Sequence, residues 1–170
     1  MSEPILVYHA GNQVNRFRFL LAFSLACCVA SLVGCYWIAF AVEDGDLTGQ
    51  ERWLLALLVL ALGVAFFGGM FVYARRYVVW LWVDERLREV TIETLALFGE
   101  RERRFDIGDF AGANRAAGEM MTHYHRIRTP YVRLRVRNRR LPYVIDLQGH
   151  IPEEALFERL LAKLSVVRPR

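Results

Sequence analysis

The chain has no charge over two long stretches. Phe19 to Val42 is 24 residues and Trp53 to Ala74 is 22, and neither contains Asp, Glu, Lys or Arg. Crossing the hydrocarbon of a bilayer takes roughly 18 to 20 apolar residues. Two predicted transmembrane helices therefore account for the 55% hydrophobic content of the 170 residues. Cysteine is scarce: Cys27, Cys28 and Cys35 all lie inside the first span, where neither an oxidising partner nor CxxC ligand spacing applies, so they read as packing residues. Also missing are a Gly-rich phosphate loop, HExxH, GxSxG and any charge inside the spans, which removes nucleotide, zinc-protease, serine-hydrolase and ion-pump readings. The carboxylates are scattered among arginines at strand ends, as surface ion pairs would be, so neither an enzyme nor a cofactor is expected. There are no internal repeats and no low-complexity tract.

The 18 residues before the first span contain Glu3, with Arg16 and Arg18 as their only basic residues. Neither a cleaved secretory signal nor an Arg-rich, Ser-rich presequence has that composition, so the first span is expected to be retained. The connector 43–52 carries Glu43, Asp44, Asp46 and Glu51 against Arg52, while Arg16, Arg18, Arg75 and Arg76 flank the opposite ends of the spans. Basic flanks stay on the side of synthesis. Both termini are therefore expected in the cytoplasm of a bacterium or the matrix of a mitochondrion. Ser24, Cys28, Ser31 and Cys35 share one face of the first span, and Ala61, Ala65 and Gly69 recur every four residues in the second. Small residues let helix backbones approach where lipid gives no hydrophobic drive, so these two faces are expected to meet in a tight hairpin. Tyr36, Trp37, Trp53, Tyr73, Tyr77, Trp80 and Trp82 lie at or just beyond the span ends and read as an interfacial aromatic belt.

Residues 75–170 hold 19 of the 22 basic and 13 of the 18 acidic residues, a basic head on an apolar stem. Period-two runs at 77–84, 88–98, 101–107, 131–137 and 141–147 predict strands joined by short, hairpin-length connections. Pro152, Glu153 and Glu154 open an amphipathic helix with Leu156, Phe157, Leu160, Leu161 and Leu164 at helical spacing. The expected fold class is membrane α+β: a helical hairpin at 19–74, then a small antiparallel sheet domain with a C-terminal helix at 75–170. The N-terminal segment 1–18 returns to the same side of the membrane, and Ile5 to Tyr8 is positioned to add a strand. Gly108 to Arg128 shows no clear period and reads either as a functional loop or as a disguised element.

In "YVRLRVRNRR", Arg133, Arg135, Arg137 and Arg139 would project from one face of a strand and Val132, Leu134 and Val136 from the other. With Arg140 they form the candidate contact surface for a partner protein or anionic phospholipid, and plain solvation of a strand face is the simpler alternative. Nucleic acid is disfavoured, since neither RNP-type aromatics nor a recognition helix accompanies the arginines. Met120, Met121, His123 and His125 are a soft-ligand cluster without a cysteine, a weak candidate for copper, so no metal is expected. His9 reads as a strand-end residue and His150 as a turn residue.

Two segments, "ILVYHAGNQVNRFRFLLAF" and "LRVRNRRLPYVIDLQGHIPEEALFERLL", resemble the transmembrane protein 223 family, mitochondrial two-span proteins grouped with transmembrane proteins 70 and 186. The spacing of Arg139, Arg140, Tyr143, Asp146, Gly149, His150, Pro152, Leu156 and Phe157 carries most of the likeness. The resemblance implies a multi-pass inner-membrane protein with both termini in the matrix. It would be an accessory subunit or assembly factor of a respiratory complex, cytochrome c oxidase (complex IV) first, with complex I or ATP synthase as alternatives. Respiratory subunits would be its partners, and cardiolipin a candidate bound lipid. A bacterial membrane-tethered pleckstrin-like module and a factor touching mitochondrial ribosomal RNA are the rival readings.

Overall fold

The computed structural model describes residues 4–40, 48–97, 99–121 and 126–166. The chain divides into two compact units, one from the described parts of Met1–Val14 and Arg75–Arg170, the other from Asn15–Ala74.

The second unit is the helical hairpin, α1 (Gln13–Phe40) and α2 (Gly49–Ala74). At about 1.5 Å per residue, each exceeds the roughly 30 Å thickness of a bilayer's hydrocarbon. Mean hydropathies of 2.2 and 2.6, with only 11% of either apolar window buried, leave both helices without a protein core around them, as a lipid solvent requires. A capping box opens α2: Thr48 N and Oγ1 both donate to Glu51 Oε2 at 2.8 and 2.9 Å, while Glu51 N donates to Thr48 Oγ1 at 3.4 Å.

The helices meet along one seam. On α1 it runs through Leu21 and Ser24, both buried, then half-buried Cys28, Ser31 and Cys35, and buried Ala39. On α2 it runs through Ala56, Leu60, Gly63, Phe67, Met70 and Ala74 in alternating steps of four and three, the period of helices that stay in contact over several turns. The point of closest approach is Gly63, where a Cβ would stand 2.5 Å from Ser31 Cβ and 3.4 Å from Cys28 Cα. Two hydroxyls on α1 satisfy themselves locally, Ser24 Oγ donating to Leu21 O and Ser31 Oγ to Cys27 O, each at 2.8 Å. Rings close both ends of the seam, Phe17 against Tyr73 and Phe40 edge-on to Trp53, each at 5.6 Å.

One expectation about this seam is corrected. Ala61, Ala65 and Gly69 are exposed, away from α1. A strict four-residue repeat gains about 40° per step on a helix of 3.6 residues per turn, so such a row winds off the contact line. Gly63, outside that row, carries the approach instead.

The first unit is the head. Strands β1 (Ile5–His9), β2 (Val78–Val83), β3 (Glu89–Leu95) and β4 (Glu100–Asp106) form an antiparallel sheet in the order β1-β2-β3-β4. Strands β5 (Phe110–Met121), β6 (Arg126–Val136) and β7 (Tyr143–Asp146) form a second, ordered β5-β6-β7, and α3 (Glu154–Val166) packs on β5 and β1. The N-terminal segment supplies a strand, pairing Ile5 with Val83 and His9 with Trp80. Bulges in β1 near Val7 and in β2 near Val79 explain why Val7–Tyr8 and Val78–Val79 are buried in pairs, since an extra residue interrupts the inward–outward alternation. The undecided segment 108–128 is largely a strand pair, with Ala113 opposite Leu134 and Met120 opposite Ile127.

Among the described residues, two backbone links join the sheets. Val144 N donates to Arg76 O at 2.8 Å beside a parallel bridge from Tyr77 to Val144. His9 and His150 exchange both backbone hydrogen bonds, at 2.9 and 2.8 Å. Gly149 makes the second link possible, because a Cβ there would meet Tyr8 Cε2 at 2.5 Å and His9 O at 2.8 Å. The core between the sheets and α3 is built on Tyr8, Tyr77, Phe110, Tyr143 and Phe157, with Leu160 and Leu164 beside them. Tyr77, expected in the aromatic belt, is 1% exposed and belongs to this core.

Candidate interaction surface

Strand β6 alternates as the sequence dictates. Val132, Leu134 and Val136 are buried, Arg133 and Arg135 are exposed on the other face, and Arg137, the first residue past β6, is exposed as well. Register places Asn114 and Gly112 of β5 opposite Arg133 and Arg135, and Val144 of β7 on the far side of Arg133. Among the described residues no carboxylate stands opposite Arg133 or Arg135, whereas Asp109 lies across from Arg137, whose N donates to Asp109 O at 2.8 Å. The Arg133 guanidinium lies 5.6 Å from the Tyr131 ring centre, a cation–π contact along the same face. Among the described residues no salt bridge takes up Arg133, Arg135 or Arg137, so their charge is directed at solvent or a ligand.

The ladder is shorter than the sequence pattern implies. β6 ends at Val136, and Arg139 N donates to Val136 O at 3.1 Å as the chain turns. Arg139 is half-buried with its guanidinium 5.9 Å from the Phe105 ring centre, so it packs on the head instead of extending the row. Arg140 is exposed beyond the turn. The ion pair of Arg115 with Glu158 ties β5 to α3, outside this surface.

The membrane-flanking arginines also separate. Arg16, Arg18 and Arg75 are exposed, whereas Arg76 donates from Nη1 to Leu141 O at 2.9 Å and lies 5.8 Å from the Tyr143 ring centre. Arg76 therefore helps hold β7 as well as marking the end of α2. Met120 and Met121 are the last two residues of β5, while His123 and His125 lie outside the described residues. Among the described residues no three His, Cys, Asp or Glu side chains converge on a common point.

Sequence reasoning missed the meeting of His9 and His150. Their rings are 4.9 Å apart, and His9 continues to Trp80 at 5.3 Å, which stacks on Trp82 at 5.7 Å. Nothing local could have joined residues so distant in sequence, although the Gly149–His150 pair stood out in the family likeness.

The buried Tyr8 hydroxyl lies under the same turn. Burial first, then Tyr77 and Asp146 nearby, push its pKa above the ordinary tyrosine range, so it stays protonated.

No curated relative matches the chain. Residues 3–163, nearly the whole sequence, match the TMEM70/TMEM186/TMEM223 protein family. By that match and its two long apolar helices, the chain is a member of the TMEM70/TMEM186/TMEM223 family and a mitochondrial membrane protein.

Proposed function

We propose that the protein is a non-enzymatic, inner-membrane accessory subunit or assembly factor of a respiratory complex, cytochrome c oxidase first, with both termini in the matrix. The observation that carries this reading is the row Arg133, Arg135 and Arg137, all exposed, on a head that is covalently tied to the spans through both β1 and β2. Only three residues separate β1 from α1, and three separate α2 from β2, so short tethers join the head to the membrane anchor. There a basic face meets acidic surfaces of membrane-embedded subunits and anionic headgroups such as cardiolipin, at roughly 1 kcal/mol per basic residue for the lipid. Arg140, beside the row, adds to the same field. The hairpin seam fixes the anchor and leaves most of both helices outward-facing for neighbouring spans.

The test is association. Native membranes solubilised mildly and resolved on a native gel should show the chain comigrating with cytochrome c oxidase or its intermediates, in a salt-sensitive manner. Reversing Arg133, Arg135 and Arg137 to Glu should abolish that comigration. If it persists unchanged, the assigned surface is wrong. If the chain comigrates instead with complex I or ATP synthase, the complex is wrong and the surface stands.

A further inference from the structure

The outward face of the four-stranded sheet differs from the arginine face in both charge and ring content. In one cross-strand row, register places His9 beside Trp80, Trp80 beside Glu93 and Glu93 beside Glu102. Trp80 stacks on Trp82 at 5.7 Å, and both indoles are half-exposed. Such rings on an outer sheet face serve no core.

Around them the charge runs against the rest of the head. The head is basic as a whole, yet Glu93, Glu100 and Glu102 gather at β3 and β4, where Arg104 pairs with Glu102 at 2.9 Å. Like charges directly opposite on neighbouring strands destabilise a sheet. Every influence on Glu93 opposes its ionisation: burial first, then the charges of Glu100 and Glu102 and a hydrogen bond with Glu100. An incoming cation would relieve the repulsion that Glu100 and Glu102 exert on Glu93.

We propose that the Trp80–Trp82 face with Glu93, Glu100 and Glu102 is a docking surface for a basic, partly apolar segment of a partner protein. An Arg or Lys of that segment would lie over an indole face, within about 6 Å of the ring centre, where the ring quadrupole attracts it. The same cation, or the next one along an extended segment, would donate charge-assisted hydrogen bonds to the carboxylates. An anionic bilayer surface is the wrong occupant, because its phosphates would face three carboxylates. This surface is separate from the arginine row and stands or falls independently of it.

The experiment uses the full chain in phosphatidylcholine nanodiscs. The probes are a fluorescein-labelled octapeptide of alternating arginine and valine and its counterpart with glutamate in place of arginine, both read by anisotropy. The basic peptide is expected to bind and the acidic one not. Combined Glu93→Gln, Glu100→Gln and Glu102→Gln should weaken binding at least tenfold without lowering the melting temperature, which separates a docking role from a structural one. Trp80→Ala with Trp82→Ala should weaken binding comparably. Equal binding of both peptides, or unchanged affinity in the triple variant, would overturn the proposal. So would strong quenching of Trp80 and Trp82 by brominated phosphatidylcholine in a Trp37→Phe, Trp53→Phe background, since the rings would then be seated in lipid.

Discussion

The hairpin and the head solve the same problem, holding elements together, with opposite side chains. At the hairpin seam the closest approach is made by Gly63 against Ser31 and Cys28, while Leu54, Leu62 and Phe19 face outward. In the head, Tyr8, Tyr77, Phe110, Tyr143 and Phe157 are packed inside with almost no exposure. The solvent explains the difference. Lipid tails are as apolar as leucine, so burying a large side chain between the helices gains little, and close backbone contact is what remains. Water reverses this, since each large apolar side chain removed from it contributes about 1.5 to 3 kcal/mol.

Shrinking a large residue on each side is the strongest way to break this comparison. Phe157→Ala should remove about 3 to 5 kcal/mol from the head, because α3 loses its deepest anchor and leaves a cavity. A urea titration of the full chain in detergent measures it. By contrast, Leu62→Ala in the hairpin, at a position 64% exposed, should change the stability of the helix pair by less than about 0.5 kcal/mol. A comparable loss at both positions would mean that the hairpin is held like a water-soluble core.

Enlarging a small residue tests the other half. Gly63→Val should cost about 1 to 3 kcal/mol by forcing the helices apart at Ser31, read as a lower SDS concentration for unfolding in mixed micelles. Ala61→Val, Ala65→Val and Gly69→Val should be tolerated, since those positions face outward. In the head, Gly149→Ala should cost a similar ~1 to 3 kcal/mol, because the added Cβ must displace either the Tyr8 ring or the His9 carbonyl. Hydrogen exchange should then show β1 opening ahead of the rest of its sheet.

What could be read from the sequence follows the same division. The spans are visible because an uncharged run longer than 20 residues has few alternatives, and the head's strands because Val132, Leu134 and Val136 alternate with arginines. β5 was hidden because "AGANRAAG" has small residues on both faces, so alternation leaves no contrast, and its partner β6 defines it. The seam is hard to place because a repeat of four looks helical but drifts across the face, whereas Gly63 belongs to a row of alternating fours and threes that mixes small residues with large ones. Arg139 was placed on the strand because the pattern of arginines continues past the point where the backbone turns. Tyr77 reads as belt because proximity to a span end in sequence does not distinguish a lipid-facing ring from one buried in the head.

The smallest expected effect carries the opposite sign and sharpens the contrast within the head itself. Glu93 has its pKa raised by burial and by Glu100 and Glu102, so the folded state holds its proton more tightly than the unfolded chain does. A carboxyl shifted in that direction supports the fold fully below its unfolded pKa of about 4.3, and the support is lost as the pH rises through the higher folded value. At neutral pH the ionised Glu93 is therefore a small burden. Glu93→Gln removes the charge while keeping the shape, so it should raise the melting temperature slightly at pH 7 and make no difference well below the ordinary glutamate value, where the wild-type group is protonated in both folded and unfolded states. Melting curves of the two full-length chains across that range decide it, and a Glu93→Gln chain less stable at pH 7 would mean that a cation within the head already compensates the charge. A gain in stability accompanied by a loss of basic-peptide binding would instead identify a residue kept at a structural cost for the contact it makes, as natural sequences do at interaction sites.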